Sequence, residues 1–246
     1  METGKVALVT GAAGGIGSAT CRALAAQGMK VLVADMEHDR AESLAADLRA
    51  AGGVALACRV DVARREAVDS LVAGIPGVHG SLDVLVNLAG VVRNDLLAKV
   101  KDEDFDLTYS SHVRGTMNTM RAAIPIMRRQ RAGRIVNMSS VAALGSIGGA
   151  VYGGAKGAIE SMSRAAALEL ATDGGTVNCV APGLIGAGMF LTTAKHFQDQ
   201  GIERTPMKRA GKPEEVAACI AFFASSGASF VTGQTLFVCG GLSVGF

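Results

Sequence analysis

Short apolar runs rich in valine alternate with longer amphipathic segments along almost the whole chain. The runs are nearly continuously apolar, which is typical of strands buried on both faces in a parallel sheet. The segments between them show helical periodicity, and the clearest is an apolar stripe over residues 105–127. Seven strands are predicted, at residues 5–10, 30–35, 54–60, 82–87, 134–140, 176–182 and 234–239. Because no linker interrupts this alternation, we predict one α/β domain over residues 1–246, with a doubly wound parallel sheet and helices on both faces.

Composition excludes several classes of function. The 24 basic and 22 acidic residues give a net charge of +2, so neither nucleic acid nor a membrane is expected as a partner. The five cysteines are scattered without a CxxC pair, which predicts neither a metal site nor a disulfide framework and favours the reducing cytoplasm. No signal peptide is expected, and the uncharged stretch 216–246 is broken by glycine and polar residues.

The first predicted strand runs directly into the glycine-rich stretch "TGAAGGIGSAT" at residues 10–20. Gly11, Gly15 and Gly17 leave room for the backbone to approach a pyrophosphate at the start of the following helix. An acidic residue, Asp35, ends the second predicted strand at the spacing usual for such sites. Together these features predict a dinucleotide cofactor in a Rossmann-like, single-domain fold.

The identity of that cofactor follows from charge. Asp35 would accept hydrogen bonds from the adenosine ribose hydroxyls and repel a 2′-phosphate. The next residues, 36–38, are Met, Glu and His, so no arginine is expected here to receive that phosphate. We therefore predict NAD rather than NADP. Asp61, after the third strand, would either bind the adenine or cap the following helix.

Residues 183–211 are long for a simple connection and follow the end of a predicted strand. Such insertions at the carboxyl edge of an α/β sheet commonly cover a ligand, so a lid over about 184–210 is predicted. A variable surface loop is the alternative. Met189, Phe190 and Phe197 in this segment favour an apolar pocket.

The stretch "VYGGAK" places Tyr152 and Lys156 one helical turn apart, and the chain has only two tyrosines. On these six residues alone, a catalytic Tyr152 and a Tyr152 that only anchors a helix are equally well supported. "NLAG" (87–90), "NMSS" (137–140) and "APG" (181–183) occur in order with the glycine-rich stretch. With these motifs the chain resembles the short-chain dehydrogenase/reductase family over essentially its whole length.

That resemblance implies an NAD-dependent oxidoreductase that interconverts a secondary alcohol and a ketone by hydride transfer. Tyr152 would be the general acid/base, and Lys156 would lower its pKa and hold the nicotinamide ribose. A serine would orient the substrate oxygen. The cofactor-binding residues implied are Gly11, Gly15, Ile16, Gly17, Asp35, Asp61, Val62, Asn87, Ala89, Gly90, Tyr152, Lys156, Pro182, Gly183 and Ile185.

The identity of the catalytic serine is ambiguous between neighbours. The register of "RIVNMSS" selects Ser140, because the strand end fixes where the side chain points. The interval of 13 residues usual in the family would instead select Ser139, since Ser140 is only 12 residues from Tyr152. Ser140 is our prediction.

The sharpest departure from the family lies in "SSHVRG" at 110–115. Relatives usually have an asparagine at the position of His112, where it supports a proton relay from the lysine. A histidine can carry protons near neutral pH, so His112 is a candidate catalytic residue. The alternative is that His112 fills the space of the asparagine without catalytic duty. At Ala187, relatives often have a threonine, so one cofactor hydrogen bond is expected to be missing.

The stretch is similar to the "H-x-R-G" of relatives that act on 3-hydroxyacyl-CoA. The predicted substrates are therefore 3-hydroxyacyl thioesters or small aliphatic or cyclic alcohols. The alternatives are a 3-oxoacyl-[acyl-carrier-protein] reductase, which Asp35 disfavours, and a catalytically inactive NAD-binding sensor or scaffold. A homodimer or homotetramer through the helices around 103–130 and 152–172 is implied by the resemblance.

Overall fold

A computed structural model describes residues 2–244, with the exception of the side chain of Met189. Seven parallel strands form one sheet in the order β3-β2-β1-β4-β5-β6-β7. The strands are β1 (Val6–Thr10), β2 (Lys30–Asp35), β3 (Val54–Arg59), β4 (Val84–Asn87), β5 (Gly133–Met138), β6 (Gly175–Pro182) and β7 (Thr235–Val238). The predicted fold class is confirmed, and each predicted strand is found at its place in the chain.

Helices cover both faces of the sheet. They are α1 (Gly15–Ala26), α2 (His38–Ala50), α3 (Arg65–His79), α4 (Asp102–Tyr109), α5 (Gly115–Gln130), α6 (Ala150–Leu170), α7 (Met189–Thr192), α8 (Lys195–Arg204) and α9 (Pro213–Ala224). One buried cluster joins α1, α2 and α9 to the sheet, and a second joins α3, α5 and α6 to its other face. Among the described residues, no helix is long and apolar enough to cross a membrane.

The order of the strands reverses between β1 and β4, because β1 pairs with β2 on one side and with β4 on the other. The connections from these two strands leave in opposite directions, which opens a crevice at their carboxyl ends. Gly11 forms the floor of this crevice with a φ of 64°. A Cβ atom there would lie 2.6 Å from the amide nitrogen of Ala89, so only glycine permits the approach.

The apolar stripe predicted as one long helix is interrupted. A π-helical segment, Ser110–Arg114, lies between α4 and α5. The wider turn directs His112 into the protein, where the residue is only 4% exposed. Pro125 lies within α5, which continues to Gln130, so the proline does not end the helix.

Buried polar side chains connect the two central strands to the helices beneath the crevice. Asn87 and Asn137 are partners in the β4–β5 register, and Asn87 Nδ2 donates to Asn137 Oδ1 at 2.8 Å. Thr119 donates to Asn87 Oδ1 at 2.8 Å, and Asn137 Nδ2 donates to Ser163 Oγ at 2.8 Å. These bonds tie β4 and β5 to α5 and α6, and so fix the carboxyl ends of both strands.

Replacement of Asn137 should therefore be costly. Asn137→Ala leaves the amide of Asn87 and the hydroxyl of Ser163 without this partner, and we expect a loss of about 2–4 kcal/mol in the free energy of unfolding. Thr119→Val removes a single bond of the same network and should cost about 1 kcal/mol. Urea denaturation of both variants checks this order, and equal stability of Asn137→Ala and the parent would contradict it.

Candidate active site

A cavity of about 340 Å³ lies at the carboxyl ends of β5 and β6. Tyr152, from the first turn of α6, and Ser140, which follows β5, face it together. Pro182 and Gly183 contribute from the end of β6. The hydroxyl groups of two predicted site residues thus meet in one apolar-walled cavity, which suits a substrate oxygen that needs two hydrogen bonds.

The two neighbouring serines have different partners. Ser139 is 1% exposed, and its Oγ donates to Glu160 Oε1 at 2.7 Å. Ser140 Oγ accepts from the amide of Ala142 at 3.1 Å, and Ser140 lowers the pKa of Tyr152, so its hydroxyl lies beside the phenol. The geometry therefore favours Ser140 over Ser139 as the serine beside the reacting group.

Burial governs the ionisation of Tyr152. Burial raises the pKa of its phenol above the ordinary value, and the hydrogen bond with Ser140 acts in the opposite direction. The sequence-based expectation of a pKa lowered by Lys156 is wrong, because desolvation is the larger effect. Tyr152 is consequently a neutral phenol at pH 7, ready to give a proton.

Lys156 lies behind the cavity wall rather than on it. The residue is 2% exposed, its Nζ donates to the carbonyl oxygen of Met138 at 2.8 Å, and it lies 5.4 Å from the centroid of the Tyr152 ring. Burial lowers the pKa of Lys156 to about 7, with the nearby Cys179 acting in the opposite direction. The side chain can therefore gain and lose a proton near neutral pH.

His112 lies against Tyr152, with ring centroids 5.4 Å apart in an edge-to-face arrangement. Its Nε2 is 2.7 Å from the carbonyl oxygen of Val91, which can only accept, so Nε2 carries the ring proton. Among the described residues, no group is hydrogen-bonded to the buried Nδ1. Burial, and then the charge of Lys156, lower the pKa of His112 to about 3, against the effect of the bond to Val91. The expectation of a histidine that titrates near neutral pH is wrong.

The glycine-rich loop borders a cavity of about 540 Å³ that contains Gly11, Gly15, Ile16, Gly17 and Gly90 in its lining. The first amides of α1 have no acceptor within the helix and can serve a bound anion. A Cβ atom on Gly15 would lie 2.6 Å from the Cβ of Ala187, so the loop has no space for a side chain. This arrangement fits the pyrophosphate of a dinucleotide.

The adjoining cavity, of about 310 Å³, has an acidic lining. Asp35 accepts from the amides of Ala13 at 2.9 Å and Glu37 at 3.1 Å, which leaves lone pairs for ribose hydroxyls. Asp61 accepts from the amide of Ala63 at 3.0 Å and so closes a turn while it lines the cavity. The position of Asp61 is thus compatible with both predicted roles, binding the adenine and capping the following helix. Val62, Ala89 and Gly90 complete the predicted lining.

One expectation about this end is wrong. No arginine was expected here, yet Arg40 lines the cavity and donates to Glu37 and to the carbonyl oxygen of Ala13. Asn87, which was also expected to line the cofactor site, uses both ends of its side-chain amide in the buried network, so only its backbone is available to a cofactor. Arg40 escaped prediction because its contact with Ala13 spans 27 residues of sequence.

The segment predicted as a lid departs from and returns to one point, where Ile185 and Gly211 form an isolated parallel bridge. It contains α7 and α8, and Phe190 and Phe197 line the cavity of Tyr152. The side chain of Met189, the third residue named for this pocket, lies outside the described part of the chain. Asn94 and Gln198, which sequence patterns did not single out, add polar groups to the same cavity.

Known proteins share this architecture over the whole chain. A family model described as enoyl-(acyl carrier protein) reductase matches residues 11–243. The 3-oxoacyl-[acyl-carrier-protein] reductase FabG of Staphylococcus epidermidis is 38% identical over 240 residues, which are 97% of this chain and 98% of the relative. This chain belongs to the short-chain dehydrogenase/reductase family. The resemblance inferred from its motifs is thereby confirmed.

Further members differ in what they act on. The (2S)-[(R)-hydroxy(phenyl)methyl]succinyl-CoA dehydrogenase subunit BbsD of Thauera aromatica is 37% identical over 98% of this chain and 97% of the relative. A crystal structure of a proposed gluconate dehydrogenase from Agrobacterium tumefaciens superposes with a TM-score of 0.96, at 29% identity and with 99% and 98% of the two chains covered. As a short-chain dehydrogenase/reductase, this protein is an oxidoreductase that binds a nicotinamide cofactor.

The contact between Gly90 and His112 can be tested directly. A Cβ atom on Gly90 would overlap the imidazole of His112, so Gly90→Ala must displace the ring or the cofactor-lining loop. We expect a loss of about 1–3 kcal/mol in stability and weaker nicotinamide binding. Gly74→Ala is the control, because nothing lies within 4 Å of its Cβ position in α3. Thermal unfolding and cofactor titration check this, and similar behaviour of the two variants would disprove the contact.

Proposed function

We propose that the protein uses NAD(H) to interconvert 3-hydroxyacyl and 3-oxoacyl thioesters, with Tyr152 as the general acid/base. The observation that supports this proposal is that Tyr152 and Ser140 line one cavity together with Phe190 and Phe197 of the segment predicted as a lid. The names of two relatives, which act on a 3-oxoacyl carrier protein and on a hydroxyacyl-CoA, support a thioester. In the substrates that these two names describe, the reacting carbon carries a ketone oxygen or a secondary hydroxyl group.

In the reductive direction, Tyr152 donates its phenolic proton to the ketone oxygen while Ser140 holds that oxygen by a hydrogen bond. The nicotinamide, when bound, supplies the hydride to the carbonyl carbon. In the oxidative direction, Tyr152 takes the hydroxyl proton instead. In either direction, the Ser140 hydroxyl and the Tyr152 oxygen both contact the substrate oxygen on which charge develops.

Lys156 and His112 act behind Tyr152. Lys156, with a pKa of about 7, can hold the proton that restores the phenol after it reacts. His112 contributes an acceptor rather than a proton, since its Nε2–H is committed to Val91 and its Nδ1 is unprotonated. We infer that Nδ1 accepts a hydrogen bond from a water in the relay, in place of the asparagine usual in the family.

The cavity lined by Asp35, Glu37 and Asp61, which we propose holds the adenosine and call the adenosine cavity, supports NAD over NADP. Asp35, Glu37 and Asp61 all border it, and a 2′-phosphate would approach these carboxylates. Arg40 is the single basic residue among the described residues that line this cavity, and Glu37 pairs with it. NAD(H) is therefore the proposed cofactor.

A homodimer or homotetramer is also proposed. Apolar side chains on α4, α5 and α6 are exposed, among them Phe105, Met117 and Leu168, and Leu168 is 81% exposed. Phe105 and Met117 also line one surface cavity, and an exposed apolar patch of this kind marks an interaction site. We propose a cytoplasmic enzyme, since each of the five cysteines is a free thiol.

A substrate panel tests the proposed reaction. Purified protein is assayed with NADH and NADPH against a 3-oxoacyl thioester, a 2-enoyl thioester and a small cyclic ketone. We expect NADH-dependent turnover of the 3-oxoacyl thioester above the other two. Turnover of the enoyl thioester alone would instead support the reaction in the family model's description, and tight NADH binding without any turnover would support a sensor.

Replacement of the two hydroxyls should separate chemistry from binding. Tyr152→Phe should lower kcat by about 10²–10⁴-fold, because proton transfer is lost while the ring is kept. Ser140→Ala should lower kcat by about 10²-fold, because one hydrogen bond to the developing charge is lost. Ser139→Ala is the matched control, since its hydroxyl is committed to Glu160. A larger loss in Ser139→Ala than in Ser140→Ala would reverse the assignment.

The raised pKa of Tyr152 predicts that the two directions of the reaction depend differently on pH. Oxidation needs the phenolate, and its fraction increases about tenfold per pH unit below the pKa. We expect kcat/KM for alcohol oxidation to increase from pH 7 to pH 9, while kcat/KM for ketone reduction does not increase. Steady-state rates in both directions provide the measurement, and a pH-independent oxidation rate would show that Tyr152 is not the base.

A further inference from the structure

Ala13, in the middle of the glycine-rich loop, is held by two side chains from the corner between β2 and α2. Its amide donates to Asp35 Oδ2 at 2.9 Å, and its carbonyl oxygen accepts from Arg40 Nη2 at 2.9 Å. The other nitrogen of the Arg40 fork, Nη1, donates to Glu37 Oε2 at 2.9 Å. Both backbone polar groups of Ala13 are therefore satisfied from one side of the cavity.

The loop needs such a restraint because of its composition. Three of the residues around Ala13 are glycines, at positions 11, 14 and 15, and glycine loses more backbone entropy on ordering than any other residue. A loop that is already ordered binds its ligand more tightly, because less entropy is lost on binding. The bond from Arg40 to Ala13 supplies part of that order.

Arg40 also lines the adenosine cavity together with Asp35 and Glu37. A guanidinium is well suited to a phosphate, since its planar fork can donate two parallel hydrogen bonds. Here one side of the fork is occupied by Glu37 and the other by the loop carbonyl. Glu37 and the carbonyl of Ala13 thus occupy the guanidinium of Arg40, the one basic group that could bind a phosphate among the described residues that line this acidic cavity.

We propose that Arg40 is a positioning residue for the glycine-rich loop and that Glu37, by holding Arg40, sets the discrimination between NADH and NADPH. This inference rests on the nicotinamide cofactor of the proposed function. It assigns the selectivity to a pair of residues in addition to Asp35. Without the carboxylate of Glu37, Nη1 of Arg40 is released to meet a 2′-phosphate, while Nη2 keeps its bond to Ala13.

The same helix offers a matched control. Arg49 donates to the carbonyl oxygen of Ala55 and to the carboxylate of Glu42, so it makes the same two kinds of bond as Arg40. Arg49 is not among the described residues that line the adenosine cavity. Arg49→Gln therefore reports what the loss of an exposed arginine on α2 does to the protein in general.

The test is the dissociation constant of NADH and of NADPH, measured on the intact protein. The fluorescence of the nucleotides reports binding, because the chain has no tryptophan whose own fluorescence could be followed. Glu37→Gln should lower the Kd of NADPH by about five- to tenfold relative to that of NADH. Arg40→Gln should raise the Kd of NADH by about three- to fivefold. Arg49→Gln should leave both values within about twofold.

The double variant Glu37→Gln/Arg40→Gln decides what causes the gain. If Arg40 receives the phosphate, the gain in NADPH affinity disappears relative to Arg40→Gln alone. Persistence of the gain would show that Glu37 acts only by repulsion and would overturn the proposal for selectivity. Equal effects of Arg40→Gln and Arg49→Gln would overturn the positioning role. Failure of the parent protein to bind either nucleotide would instead refute the proposed function.

Discussion

The structure depends on the close approach of two backbone turns at the carboxyl ends of β1 and β4. Gly11 lies so near Ala89 that a side chain on Gly11 would be 2.6 Å from the Ala89 amide. This contact sets the floor of the crevice where the strand order reverses, and a crevice at that position is where ligands bind in open α/β sheets. Gly11 belongs to the glycine-rich loop, and both Gly11 and Ala89 line the acidic cavity of Asp35.

Desolvation decides the chemistry of the residues that line and support this crevice. It keeps Tyr152 protonated, makes His112 neutral and brings the pKa of Lys156 to about 7. Three ordinary ionisable groups are thus converted into a proton donor, a fixed acceptor and a group that exchanges protons near neutral pH. The buried bonds of Asn137 hold β5 in place just before Ser140, so the donor and its partner hydroxyl meet in the cavity.

Much of this could be predicted from sequence, because periodicity and spacing are local signals. The valine-rich runs predicted the strands, and the four-residue interval between Tyr152 and Lys156 placed both on α6. What could not be predicted depends on contacts between distant segments. The reach of Arg40 to Ala13, the commitment of Ser139 to Glu160 and the burial of His112 by a π-helical turn all require the folded chain.

The most direct test of the proposed chemistry follows the transferred atom. NADH with deuterium in place of both hydrogens at C4 of the nicotinamide is incubated with the protein and a 3-oxoacyl thioester. The product is analysed by mass spectrometry and NMR. The account predicts deuterium on the carbinol carbon at position 3 of the product and a solvent-derived proton on its oxygen. Absence of deuterium from the product would contradict hydride transfer to a ketone at this site.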